Sequence, residues 1–147
     1  MSAATIYQLT TALKAPTEDQ DDQRLSRQCS RVIYEGRGRF SICGSDGAQI
    51  ASEKGQFSIY RTKKYVDGPV IVFDYKKVAP DVGRNSFYIV STNPYAIVLI
   101  RNTATLTSDL SIVTPHLIAV AGGLNTTGTH SASLVAAGGV FSVPANW

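Results

Sequence analysis

The stretch Asn85–Asn102, NSFYIVSTNPYAIVLIRN, constrains the fold of this chain more than any other. It holds two dense apolar runs, Phe87–Val90 and Ala96–Ile100, split by Ser91-Thr92-Asn93-Pro94. Tyr, Val and Ile favour extended backbone and Asn93-Pro94 punctuates it, so the simplest local object is a β-hairpin. Runs this apolar need cover on both faces, which places the pair in the middle of a sheet or barrel.

Short strand signals surround this centre. CSRVIY, GRG and RFSIC, within Cys29–Cys43, read as strand, turn, strand. Gly44–Gly47 is a turn, followed by strands at Ala48–Ala51 and Gly55–Arg61, a turn at Asp67-Gly68-Pro69, and the strand-like run PVIVFDYKKV. Thr5–Leu13 reads as a first strand ended by Pro16, and Thr17–Gln28 as a polar loop or helical turn. Lys76–Arg84 reads as a loop. Past the centre, Ser108-Asp109 can cap a helix over Ser108–Ala121, with Pro115 kinking it and Gly122-Gly123 stopping it. One more strand is expected near Gly139–Val143, and no internal repeat is visible. The expected fold is mainly β: a single antiparallel β-barrel or sandwich, with one helix near the C-terminal third. At 147 residues it is expected to form one domain, residues 1–147.

The net charge of +3 is mild, and its distribution is more informative. All eleven acids and fourteen lysines and arginines precede residue 110, leaving Leu110–Trp147 without one. A charge-free end with Leu117, Ile118, Val120, Val140, Phe141 and Trp147 is expected to be buried against another copy of the chain, making a homo-oligomer through residues 110–147. No apolar run approaches the roughly 20 residues that span a bilayer. MSAATIYQLTTALKAPTEDQ has no basic region followed by an apolar core, so no signal peptide is expected at this start.

Catalytic and metal chemistry find no recognisable pattern, so no enzyme activity, metal or cofactor is expected. His116 and His130 have no companion acid or nucleophile at a recognisable spacing. Cys29 and Cys43 lack a CxxC or nearby His partner. A hairpin centred on Gly36 would set the two cysteines opposite each other, either bridged or as buried free thiols. Asn125-Thr126-Thr127 is a glycosylation sequon, relevant only on a eukaryotic secretory route.

In chain order the segments resemble those of a lipocalin. TIYQLTTALKAP is similar to that family's first strand, and CSRVIYEGRGRFSI with DGAQIASEKGQFSI to its second-to-fourth-strand meander. FYIVSTNPYAIVLI resembles its second motif and IRNTATLTSDL its third, an Arg at a strand end before a helix. The resemblance implies a secreted, non-catalytic β-barrel carrier of a small hydrophobic molecule. Alternation along the strands offers Tyr34, Phe40, Ile42, Phe57, Ile59, Val70, Val72, Tyr88 and Val90 as the ligand lining.

A second reading competes with the carrier: a self-assembling structural protein such as a small viral coat, resident in a virion. Its nucleic-acid face would be Arg24, Arg27, Arg31, Arg37 and Arg39, five arginines against the single acid Glu35. Tyr34 and Phe40 between them could stack on bases, although most charge runs are merely solvated.

Overall fold

The computed structural model describes residues 29–44, 46–52, 55–60, 66–78 and 85–147. Among these residues, eleven strands and one helical turn follow one another: β1 (Arg31–Gly36), β2 (Arg39–Gly44), β3 (Gln49–Ser52), β4 (Phe57–Tyr60), β5 (Val70–Asp74), the one-turn helix α1 (Tyr75–Val78), β6 (Ser86–Ser91), β7 (Ile97–Arg101), β8 (Leu110–Thr114), β9 (Leu117–Ala121), β10 (Ala132–Ala136) and β11 (Val140–Val143). They form two sheets. Sheet A has the order β10-β8-β6-β1-β2-β3 and sheet B the order β11-β9-β7-β5-β4.

The pairing overturns the antiparallel barrel. In sheet A, β1, β6, β8 and β10 stack in parallel. In sheet B, β5, β7, β9 and β11 do the same. The chain alternates between the sheets (β6 to β7, β8 to β9, β10 to β11), so each strand lies on the one a full coil earlier. Successive sheet A strands open at Ser86, Leu110 and Ala132. That interval of roughly 20 residues is typical of solenoids, a repeat in structure that the letters do not show. Among the described residues, antiparallel pairing is confined to β1-β2-β3 and to β4-β5, which cap one end.

The apolar runs within Asn85–Asn102 are therefore not a hairpin. β6 and β7 belong to different sheets, and Thr92–Ala96 is the corner between them. The physical reason lies in the runs themselves. Phe87, Tyr88, Ile89 and Val90 are all buried, as are Val98, Leu99 and Ile100. Strands covered on both faces suit parallel ladders rather than a half-solvated hairpin.

The helix expected over Ser108–Ala121 is likewise replaced, by β8 and β9. Pro115-His116 forms the corner between them. LSIVT and LIAVA are short and rich in β-branched residues, which pack well on a pleated sheet, and Pro115 cannot donate to a helix interior. The strand expected near Gly139–Val143 is present as β11. Asn102 (φ 58) follows β7 and Gly122 (φ 78) follows β9. One left-handed backbone position thus turns two successive coils away from sheet B, by Asn in one and Gly in the next.

The inner faces of the sheets close on one core. Ile33, Phe40, Ile42, Phe87, Ile89 and Ile112 from sheet A meet Phe57, Ile71, Phe73, Val98, Ile100 and Ile118 from sheet B. Four rings form a chain through it. Phe40–Phe57, Phe57–Phe73 and Phe73–Phe87 have centroids 5.6, 5.8 and 5.0 Å apart. The outer faces carry two further clusters: Cys29, Val32, Cys43, Tyr88, Val90 and Val113 on sheet A, and Val70, Val72, Leu99, Ala119 and Ala121 on sheet B.

The β1–β2 hairpin turns at Arg37-Gly38, both at positive φ (53 and 81), the two-residue turn that matches strand twist. Its centre lies beyond Gly36, so Cys43 pairs with Val32, not Cys29. Both cysteines are buried. Burial raises the Cys29 thiol to about 11 and pushes Cys43 upward too. Both therefore stay protonated at neutral pH, and the thiol is a poor nucleophile. Native protein is expected to resist iodoacetamide at pH 7.5, with both sites labelled in denaturant. Rapid alkylation of the folded protein would contradict this. The readings at Thr5–Leu13 and Thr17–Gln28 lie outside the described residues. Among the described residues, no helix is long and apolar enough to cross a membrane.

Candidate assembly surface and polar corner

The nine residues offered as a ligand lining do not share a face. Phe40, Ile42 and Phe57 belong to the central core, with Ile59 packed against it. Tyr88 and Val90 sit on the outer face of sheet A with Tyr34 beside them, and Val70 and Val72 sit on the outer face of sheet B. Because side chains alternate along a strand, choosing the wrong parity moves a whole set to the opposite face. The aromatic chain and its aliphatic neighbours pack together between the two sheets.

The arginines are also dispersed. Arg37 and Arg39 are exposed at the hairpin tip. Arg31 lies at the other end of β1, roughly 20 Å along the strand at the usual rise, its guanidinium 6.0 Å from the Phe87 ring centroid. Arg24 and Arg27 lie outside the described residues.

A cluster that the sequence does not announce sits at the corner between the sheets. The Ser91 hydroxyl donates to Glu35 Oε1 at 2.5 Å, and the other Glu35 oxygen accepts from Gly38 N at 2.9 Å. Ser91 N donates to His116 Nε2 at 2.9 Å. His116 N donates to Thr114 Oγ1, whose hydroxyl donates to the Ile89 carbonyl at 2.6 Å. Glu35, Ser91, Thr114 and His116 are all buried.

A serine, a histidine and a glutamate together suggest a nucleophile with its base, but the connections differ. Ser91 gives its hydroxyl proton to the carboxylate, and the acceptor nitrogen of His116 is taken by a backbone amide. A base must instead face the proton it removes. What the cluster does is tie coils together: Glu35 belongs to β1, Ser91 to β6 and Thr114 to β8. Sequence separations of 56 and 25 residues hide it. His130 lies elsewhere, with Nδ1 3.5 Å from Asp109 Oδ1. Among the described residues, no group of three or more His, Cys, Asp or Glu could hold a metal ion.

Among the described residues, open clefts lie at a pair of corners. The larger, about 730 Å³, is lined by Glu35, Arg37, Gly38, Ser58, Ile59, Asp67, Gly68, Pro69, Thr92 and Asn93. The smaller, about 350 Å³, lies beside Asp74, Arg101 and Asn102. There Asn102 Nδ2 donates to Asp74 Oδ1 at 2.8 Å, and Arg101 reaches the Tyr60 hydroxyl and the Trp147 carbonyl oxygen.

The end of the solenoid away from the cap differs from both clefts. β10 and β11 are the last described strands of their sheets, so each presents an edge. Val135, Val140 and Phe141 are 44%, 45% and 55% exposed. Val140 is in register with Ile118, which is wholly buried in the core. Leu134 is in register with Ile112, wholly buried as well, yet is itself only partly covered. The core is thus cut open at this end, and β10 and β11 themselves carry no charged side chain. No family model, curated protein or solved structure matches the chain.

Proposed function

We propose that this protein is a non-catalytic structural module that self-assembles end to end, through the last coil of its solenoid. The observation that carries the reading is the uncharged double edge of β10 and β11, with inner-face residues Leu134 and Val140 incompletely covered. Solvated edges are normally protected by lysine, proline or inward charges. Here ASLVA and VFSV hold none of these.

The occupant that fits is a second copy of this chain. Whatever covers this end must offer two strand edges at the spacing of sheets A and B, and a second copy does so automatically. Because Leu110–Trp147 carries no Lys, Arg, Asp or Glu, a two-fold contact sets no like charges against each other. A partner recognised by charge would find none on β10 or β11 to pair with. Backbone hydrogen bonds across both edges would extend the ladders, and the exposed valines and Phe141 would leave water.

Sedimentation velocity tests this directly. The unaltered chain is expected to sediment as a dimer or larger at micromolar concentration. Val135→Lys and Phe141→Glu, on exposed side chains outside the core, are each expected to shift it to monomer while preserving the β-sheet circular dichroism. An unaltered chain that stays monomeric at high micromolar concentration contradicts the proposal. So does association unaffected by either change.

A further inference from the structure

The larger cleft exists because one corner of the solenoid is missing. In the later coils a sheet A strand passes straight into a sheet B strand, through Thr92–Ala96, Pro115-His116 or residues 137–139. β1 and β5 occupy the equivalent places in the first coil, β1 beside β6 and β5 beside β7. Yet the chain leaves β1 at Gly36 for β2, β3 and β4, and returns through Pro69. The cleft of about 730 Å³ lies where that corner would run, against Thr92 and Asn93 of the next one. Its size falls within the range of small-molecule sites, about 300–1,000 Å³.

The lining selects a chemical class. A peptide strand would need free backbone groups to join, and the neighbouring corner has already used its own. Thr92 N donates to the Glu35 carbonyl, and Asn93 N to Ser91 Oγ. Tyr95 N donates to Asn93 Oδ1, and Ala96 N to the Asn93 carbonyl. An apolar ligand would meet little beyond Ile59 and Pro69. A phosphate drawn to Arg37 would face two carboxylates, Glu35 and Asp67. Hydroxyl groups suit all of these neighbours, since each can donate to a carboxylate and accept from a guanidinium or a side-chain amide.

We infer that this cleft binds a small, neutral, polyhydroxylated ligand of the saccharide class, gripped by Arg37 and Asp67 across the missing corner. Both side chains are exposed at the rim, whereas Glu35, 2% exposed, is committed to Ser91 and Gly38. The site lies at the capped end of the solenoid, apart from β10 and β11, so it stands or falls separately from end-to-end assembly.

The test is amide NMR of the full ¹⁵N-labelled chain, carried out on Phe141→Glu if assembly broadens the spectrum. It is titrated with maltose, cellobiose and lactose to about 50 mM, well above a millimolar Kd. At least one sugar is expected to shift the amides of Gly38, Gly68, Thr92 and Asn93 and leave β10 and β11 unmoved. Arg37→Ala and Asp67→Asn are each expected to weaken that response about tenfold, the worth of one charge-assisted hydrogen bond. Silence of the cleft amides to all three sugars overturns the proposal. A tighter response there to inorganic phosphate than to any sugar overturns it as well.

Discussion

Phe73→Ala is expected to lower the stability of the folded chain by about 3–5 kcal/mol, the range for a large aromatic removed from a packed core. Phe73 has no exposed surface and sits third in the four-ring chain, between Phe57 and Phe87. Its removal breaks contact with both rings and leaves a cavity between the sheets that neither ladder can close without bending. Against a total of roughly 5–15 kcal/mol for a typical domain, such a loss shifts the urea midpoint far to the left. Ile50→Ala, on an edge strand and 54% exposed, is the comparison. It should change stability by no more than about 0.5 kcal/mol. Equal losses for the two would mean that the rings do not form the centre of the core.

Gly68→Ala should come next in severity, through a clash rather than a cavity. A Cβ at Gly68 would lie 2.4 Å from the Tyr95 carbonyl oxygen and 2.9 Å from Ala96 N. These are backbone atoms of the neighbouring corner, and no flexible side chain can swing aside. The corner must move instead, taking with it the Ile97 N to Pro69 O bond of 2.9 Å that joins the two coils. Overpacking of this kind costs about 3 kcal/mol, the upper end of the usual range. Gly55→Ala separates the causes, because Gly55 has a positive φ of 79 but nothing within 4 Å of an added Cβ. It should cost only about 1–2 kcal/mol, the strain of a left-handed residue. A Gly68→Ala protein as stable as Gly55→Ala would contradict the close stacking of corners.

The strands up to Arg101 were legible in the sequence, as was the β1–β2 hairpin, but β8 and β9 read as a helix and the parallel partners could not be read at all. Val, Ile, Phe and Tyr concentrated at Val70–Phe73, Phe87–Val90 and Ile97–Ile100 announce extended backbone in any context. Asn93-Pro94 announces a change of direction, and it reads the same whether the chain folds back beside itself or crosses to another sheet. Parallel partners lie a coil apart, and nothing local marks them. The coils also hide their repetition by varying their returns, Asn102–Asp109 after β7 but Gly122–Ser131 after β9, and by the long excursion between β1 and β5.

Facing was the other point of failure. Phe40 and Ile42 point into the core while Tyr88 and Val90 point out of it, and runs apolar on both faces hide the parity. The charge-free C-terminal region was plain in the sequence. That it forms the open end of two sheets required the topology. The corner of Glu35, Ser91 and His116 had no signal at all, because its members come from three different coils.

The most direct test of end-to-end assembly is amide hydrogen exchange of β10 and β11, measured at two protein concentrations. In β8 and β9, which have neighbours on both sides, protection should be the same at both. The edge amides of β10 and β11 are predicted to be protected at high concentration and to exchange freely on dilution, because a second copy supplies their carbonyl partners. Val135→Lys should abolish that difference. Edge amides that exchange freely at every concentration would contradict the account and leave the open end of the solenoid without the partner proposed for it.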